Sequence, residues 1–67
     1  MKNYYAIEYF ESHCIVYAFK FKEFRNQLIR KSNAHPLSSK HFLVKQARQR
    51  MIETAEWPVR IEYGGGK

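Results

Sequence analysis

Arg and Gln side chains alternate along one short segment of the chain and suggest recognition chemistry. Residues 45–50 read Lys-Gln-Ala-Arg-Gln-Arg, and on a helix they would place these side chains along a single element. Arg and Gln form bidentate hydrogen bonds to guanine and adenine edges in the major groove of DNA. The segment therefore predicts contact with a nucleic acid rather than a covalent reaction.

Positive charge is concentrated in the middle of the 67-residue chain. Residues 20–50 contain nine Lys and Arg against the single acid Glu23, a net charge of +8, whereas the segments 1–19 and 51–67 each sum to −1. Cations that neutralise phosphates release counterions, and a single-sign field otherwise only lowers stability. We predict that nucleic acid or an acidic partner is bound by Lys22, Arg25, Arg30, Lys31, Lys40, Lys45, Arg48 and Arg50. A solvated charged surface without a partner is the alternative interpretation.

Residues that could catalyse a reaction or bind a metal are few. His13 and Cys14 are adjacent, so in a strand they point to opposite faces. The three His and one Cys lack the spacing of a zinc site, and we predict no metal and no other cofactor. The chain is therefore predicted not to be an enzyme. A small basic ribonuclease acting through Arg, Lys, His and Tyr is the enzymatic alternative.

The cysteine content and the hydropathy pattern bear on location. A single cysteine, Cys14, excludes an internal disulfide framework and fits a buried, unreactive thiol in a reducing compartment. No apolar run approaches the ~18 residues that a transmembrane helix needs. We therefore expect a cytoplasmic protein without a membrane partner.

Two segments rich in aromatic and β-branched residues, 3–10 and 13–21, predict a hairpin joined by Glu11 and Ser12. In this tight register one face is the predicted core face, with Tyr5, Ile7, Tyr9, Cys14, Val16 and Ala18. The other face is predicted to remain uncovered, and it carries Tyr4, Tyr17 and Phe19. Such aromatic residues could stack on the bases of a single strand or form a homodimer contact.

The hydrophobic period then changes to that of helices. Phe21, Phe24 and Leu28 predict the inward stripe of a first helix that ends near Ser32, with Arg25 facing away. Ser38 or Ser39 is expected to cap a second helix. Its predicted inward stripe is Val44, Ala47, Met51 and Ala55.

The last segment with a strand pattern is 57–63, where Trp57, Val59, Ile61 and Tyr63 alternate with polar residues. Residues 35–37 are interpreted as a connector. The predicted core comprises Ile7, Val16, Phe24, Leu28, Ala47, Met51, Val59 and Ile61.

The predicted fold class is α+β with the element order β-β-α-α-β. It consists of a small three-stranded antiparallel sheet with two helices packed on one face. Residues 1–63 form one compact domain, and residues 64–67 form a flexible Gly-rich tail. A helix-turn-helix is the alternative arrangement of the two helices. It is disfavoured because residues 32–37 exceed its usual turn and contain Pro36.

The predicted layout ends in the segment Glu56-Trp57-Pro58-Val59-Arg60-Ile61-Glu62-Tyr63. In size, layout and composition, the chain resembles small accessory proteins of bacteriophages and mobile elements, including anti-CRISPR inhibitors. This resemblance implies a regulator or a protein-binding inhibitor of a host defence or nucleic-acid-handling complex. Two functions therefore remain open, a nucleic-acid-binding protein and a protein-binding inhibitor, and both would use the basic residues.

Overall fold

A computed structural model of the chain describes residues 3–53 and 57–64. The elements are β1 (Tyr4–Tyr9), β2 (His13–Phe19), α1 (Lys22–Lys31), β3 (His35–Leu37), α2 (Phe42–Glu53) and β4 (Val59–Gly64). All strand pairs are antiparallel, and the strand order is β3-β1-β2-β4. The α+β class with two helices is confirmed, but the sheet has four strands rather than three.

The β1–β2 hairpin lies at the centre of the sheet. Its register pairs Ile7 with Val16 and Tyr9 with Cys14. The Phe10 N–H donates to the His13 carbonyl oxygen at 2.8 Å, which leaves a two-residue connection between the strands. The tight register predicted from the alternation of residues is therefore confirmed.

Helix α2 packs on the predicted core face of the sheet. The buried cluster there is formed by Tyr5, Ala18, Val44, Ala47, Met51 and Val59. The Tyr63 hydroxyl donates to the Leu43 carbonyl oxygen at 3.1 Å and ties the start of α2 to β4. The predicted stripe of α2 is confirmed for Val44, Ala47 and Met51, whereas Ala55 lies outside the described residues.

The N-terminus of α2 is capped by a histidine. His41 Nδ1 accepts a hydrogen bond from the Leu43 N–H at 3.1 Å, and the His41 carbonyl oxygen accepts one from Val44 at 3.0 Å. The Ser38 hydroxyl oxygen instead accepts from the Lys40 N–H at 3.1 Å, in the turn before the helix. The prediction of a serine cap on the helix itself is wrong.

Helix α1 packs on the opposite face of the sheet. Ala6, Ile15 and Phe19 point to this face and are buried. The Arg25 guanidinium lies 5.8 Å from the centroid of the Tyr4 ring, which points to the same face. The prediction of two helices on one face is therefore wrong. The physical reason is that the central strands carry apolar residues on both faces, so each face needs a cover.

The inward side of α1 differs from the predicted stripe. Phe21 and Phe24 are 59% and 54% exposed, while Arg25, Leu28 and Ile29 are half-buried. The assignment of Phe24 to the core is therefore wrong. The predicted end of the helix at Ser32 is confirmed, because its N–H and its hydroxyl both donate to the Leu28 carbonyl oxygen, at 3.0 and 2.9 Å.

The two edges of the sheet are formed by β3 and β4. β3 pairs with β1 through Ile7 and His35, so the predicted connector is a short strand. Its Pro36 has no N–H, a residue type that sheets tolerate at edges. β4 pairs with β2 as far as Gly64, which has a φ of +79° and belongs to the strand rather than to the predicted tail. The rest of that predicted tail, residues 65–67, lies outside the described residues.

Two isoleucines allow a matched test of this packing. Ile7 is 2% exposed and fully enclosed, whereas Ile52 on α2 is 73% exposed. We expect Ile7→Ala to lower the free energy of unfolding by about 2–5 kcal/mol because it leaves a cavity. Ile52→Ala should change it by less than about 0.5 kcal/mol. Urea unfolding followed by circular dichroism measures both values, and equal decreases would contradict the described core.

Candidate nucleic-acid interface

The eight cations predicted to bind a polyanion lie at or near the surface. Seven are exposed, and Arg25 is half-buried. Within residues 3–53 and 57–64, the single close contact between a basic and an acidic side chain joins His13 Nε2 to Glu62 Oε2 at 3.4 Å. Within these ranges, no Lys or Arg lies within ion-pair distance of a carboxylate of the same ranges.

The sheet separates these cations into two groups. Exposed cations of α1, here called the α1 surface, are Lys22, Arg30 and Lys31. Those of α2, here called the α2 surface, are Lys45, Arg48 and Arg50. Lys40 lies in the turn before α2. The two helices therefore do not form one continuous basic face, and the helix-turn-helix alternative is wrong because the sheet lies between them.

Arg25 differs from the other cations because its side chain turns toward the sheet. It lies over the Tyr4 ring, and its Nε donates to Asn26 Oδ1 at 3.1 Å. The prediction that Arg25 faces away from the sheet is wrong. A guanidinium over an aromatic face is attracted by the ring quadrupole, so this residue contributes to packing as well as to charge.

The aromatic residues of the hairpin do not form an open face. Phe19 is buried at 7% exposure, and Tyr4 and Tyr17 are half-buried. The Tyr17 and Phe19 rings stack on each other with centroids 6.2 Å apart. Since α1 lies over this face, the prediction that it stays uncovered is wrong. The stacking or homodimer contact expected there has no open surface at Phe19.

Exposed aromatic residues instead surround a cavity between α1 and the start of β4. We call it the aromatic groove, and its volume is about 440 Å³. It is lined by Phe19, Lys20, Phe21, Phe24, Gln27, Leu28, Lys31, Trp57 and Pro58. Phe21 and Phe24 meet edge to face with centroids 5.9 Å apart. The groove therefore combines apolar walls with two lysines.

Lys20 and Trp57 connect the groove to the charge of the chain. The Lys20 Nζ lies 5.4 Å from the centroid of the Trp57 ring. This cation–π contact holds an exposed ammonium group beside an aromatic wall. The Lys20 ammonium group and the Trp57 ring can therefore both contact a single ligand.

A polar contact lies on the α1 side of the sheet, between neighbouring strands. The Tyr17 hydroxyl donates to Glu8 Oε1 at 3.0 Å. Burial raises the pKa of Tyr17 above its ordinary value of 10.0, the hydrogen bond to Glu8 raises it further, and Arg60 opposes both effects. Burial likewise raises the pKa of Tyr63, Cys14 adds to this increase, and Arg50 opposes it. Both hydroxyls are thus stabilised as protonated hydrogen-bond donors.

The hairpin register and β4 bring an acid and a histidine together that lie far apart in the sequence. His13 contacts Glu62, and its ring stacks on Phe10 with centroids 4.7 Å apart. This contact joins the end of β4 to the start of β2, where His13 pairs with Gly64.

The described residues offer neither a metal site nor a membrane-spanning helix. Within 3–53 and 57–64, no three His, Cys, Asp or Glu residues are grouped closely enough to hold a metal ion. Cys14 is unbridged and only half-buried, so the prediction of a fully buried thiol is wrong. In the same ranges, neither helix is long and apolar enough to span a bilayer.

Comparisons with protein-family models, with curated proteins and with solved structures found no match to this chain. The candidate interface therefore rests on the charges, contacts and exposures given above.

The aromatic groove is the feature that sequence reasoning missed. The helical period places Phe21 and Phe24 on an inward stripe, although a sequence signal for another role is present. Residues 19–22 read Phe-Lys-Phe-Lys, so each aromatic residue has a cation beside it. Such interleaving is typical of surfaces that bind both base and phosphate.

The raised pKa of Tyr17 predicts a decrease in stability at alkaline pH. A group whose pKa is higher in the folded state contributes stability below its unfolded pKa, and this contribution disappears as pH rises through the folded pKa. Tyr17→Phe should lower stability by about 1 kcal/mol at about pH 8, because the hydrogen bond to Glu8 is removed. At about pH 11, the free energies of unfolding of the variant and the original chain should differ by less than they do at about pH 8. Urea unfolding at both pH values measures this, with exposed Tyr9→Phe as the matched control.

Proposed function

We propose that this chain is a small, non-enzymatic protein that binds nucleic acid through the phosphate backbone. The observation that supports it is the set of seven exposed cations that have no carboxylate partner within residues 3–53 and 57–64. A surface cation that is not neutralised by a carboxylate attracts phosphates more strongly than one that is, and contact with phosphates releases condensed counterions. This mechanism predicts binding that does not depend on the nucleotide sequence and that weakens as the salt concentration rises.

The α1 surface is the better candidate for the main contact. It adjoins the aromatic groove, because its Lys31 lines the groove together with Lys20. On α2, the Gln49 side chain donates to Glu53 Oε2 at 3.2 Å. One of the two Gln expected to read base edges is therefore already engaged with a carboxylate. Because the two surfaces lie on opposite faces of the sheet, a straight nucleic acid contacts only one of them at a time.

A protein-binding inhibitor of a host defence or nucleic-acid-handling complex is the second candidate. It would fit the resemblance to phage and mobile-element accessory proteins. The specific observation in its favour is the exposure of Phe21 and Phe24 beside cations, since aromatic and Arg anchors dominate many protein interfaces. An acidic protein surface would meet the same residues as a phosphate backbone.

Fluorescence anisotropy with a labelled oligonucleotide, titrated with salt, tests the first candidate. The salt slope is the steepness with which the logarithm of the binding constant falls as the logarithm of the salt concentration rises. Removing one cation that binds a phosphate should weaken binding to all sequences alike and lower this slope by ~1. We expect the double variant Arg30→Ala/Lys31→Ala to lower the slope by about two for this reason.

The matched control is Lys45→Ala/Arg48→Ala, which removes the same charge from the α2 surface. It should leave the slope nearly unchanged. Equal decreases in both variants would contradict the assignment to the α1 surface. Absence of binding at low salt would remove the proposed function and leave the inhibitor as the remaining candidate.

A further inference from the structure

The aromatic groove exposes more apolar surface than a folding role requires. Phe21 and Phe24 are both more than half exposed, although they lie next to the buried Phe19. Exposed aromatic residues that line a cavity are typical of ligand sites rather than of core packing. A volume of about 440 Å³ also lies within the usual range of small-molecule and cofactor sites.

The walls of the groove present aromatic rings. Phe21 and Phe24 are inclined at 73° to each other, and Trp57 lines the same cavity. Flat π systems stack on such rings, and every nucleobase has a π face. Gln27, which also lines the groove, carries both a donor and an acceptor that could bind the edge of a base.

The charge of the groove selects among flat ligands. Two of its lining residues, Lys20 and Lys31, are cations, and none is an acid. An uncharged aromatic ligand would leave both ammonium groups unused, whereas a nucleotide supplies a ring for the walls and a phosphate for a lysine. The lining is therefore complementary to the two parts of a nucleotide.

We propose that the aromatic groove binds an unpaired base, so that the nucleic acid recognised by this chain is single-stranded; this inference rests on the proposed function. In a duplex, each base face is covered by its neighbours in the stack. A single strand can turn a base out and stack it on aromatic side chains. The cations of the α1 surface then hold the flanking phosphates.

The single tryptophan of the chain lines this groove and also a second cavity with Arg48 and Met51 of α2, so a signal from the groove must disappear in a variant that lacks the groove's phenylalanines. Trp57 lines the groove, so stacking of a base there should quench its fluorescence. We expect quenching by a single-stranded oligothymidine of about 12 nucleotides, a length within the usual site size of such proteins, and much weaker quenching by a duplex of equal length. The comparison of single strand with duplex uses the unaltered chain, and its assignment to the groove uses Phe21→Ala/Phe24→Ala.

Phe21→Ala/Phe24→Ala tests the aromatic walls without changing the charge. Removal of base–aromatic stacking by alanine substitution corresponds to about a tenfold to hundredfold decrease in affinity per base. We expect such a decrease for the single strand, with an unchanged salt slope and unchanged duplex affinity. Phe42→Ala is the matched control, since Phe42 is similarly exposed at the start of α2.

The outcomes separate the inference from the proposed function. The inference is overturned, while the proposed function stands, if two results are found together. The original chain binds single strand and duplex equally, and Phe21→Ala/Phe24→Ala binds the single strand as tightly as the original chain does. If no oligonucleotide binds even at low salt, the proposed function fails and the inference with it. A selective decrease of single-strand affinity in the groove variant supports both.

Discussion

The rest of this structure depends on a hairpin that is apolar on both faces. Ile7 and Val16 point to one face and Ala6 and Ile15 to the other, and all four are almost completely buried. A sheet with this pattern cannot leave either face in water without forfeiting the free energy of burial. The chain meets this constraint by placing α2 on one face and α1 on the other. The separation of the basic residues into two surfaces is a direct consequence.

Local patterns in the sequence were sufficient for the hairpin, its register and the buried stripe of α2. Each depends on residues close together in the chain, where a period of two or of 3.6 is visible. β3 was missed because three residues with a central Pro36 carry no period. The placement of α1 was missed because both faces of the hairpin contain small and large apolar residues. Nothing local to α1 indicates which face it covers.

The candidate site shows the same division between local and global information. The positive charge of residues 20–50 is evident in the sequence, and the structure leaves these cations without carboxylate partners in the ranges it describes. Whether they form one surface depends on the path of the chain around the sheet. The aromatic groove depends on that path as well, because Trp57 and Phe24 are distant in sequence and line the same cavity. A helical stripe that contains two phenylalanines is ordinarily a core stripe. In α1 only its third member, Leu28, is half-buried, together with Arg25 and Ile29.

The strand order has a consequence for the way the chain reaches this structure. The hairpin closes through a two-residue connection, whereas each edge strand pairs with a strand far away in sequence. Local contacts form with the smallest decrease in chain entropy, so the hairpin is the strand pairing that costs the least entropy to close. The segment containing α1 and β3 then completes one face and one edge, and the segment containing α2 and β4 completes the other face and the other edge. Each of these two segments thus has its own pairing partner in the hairpin, and neither edge strand needs the other one in order to pair.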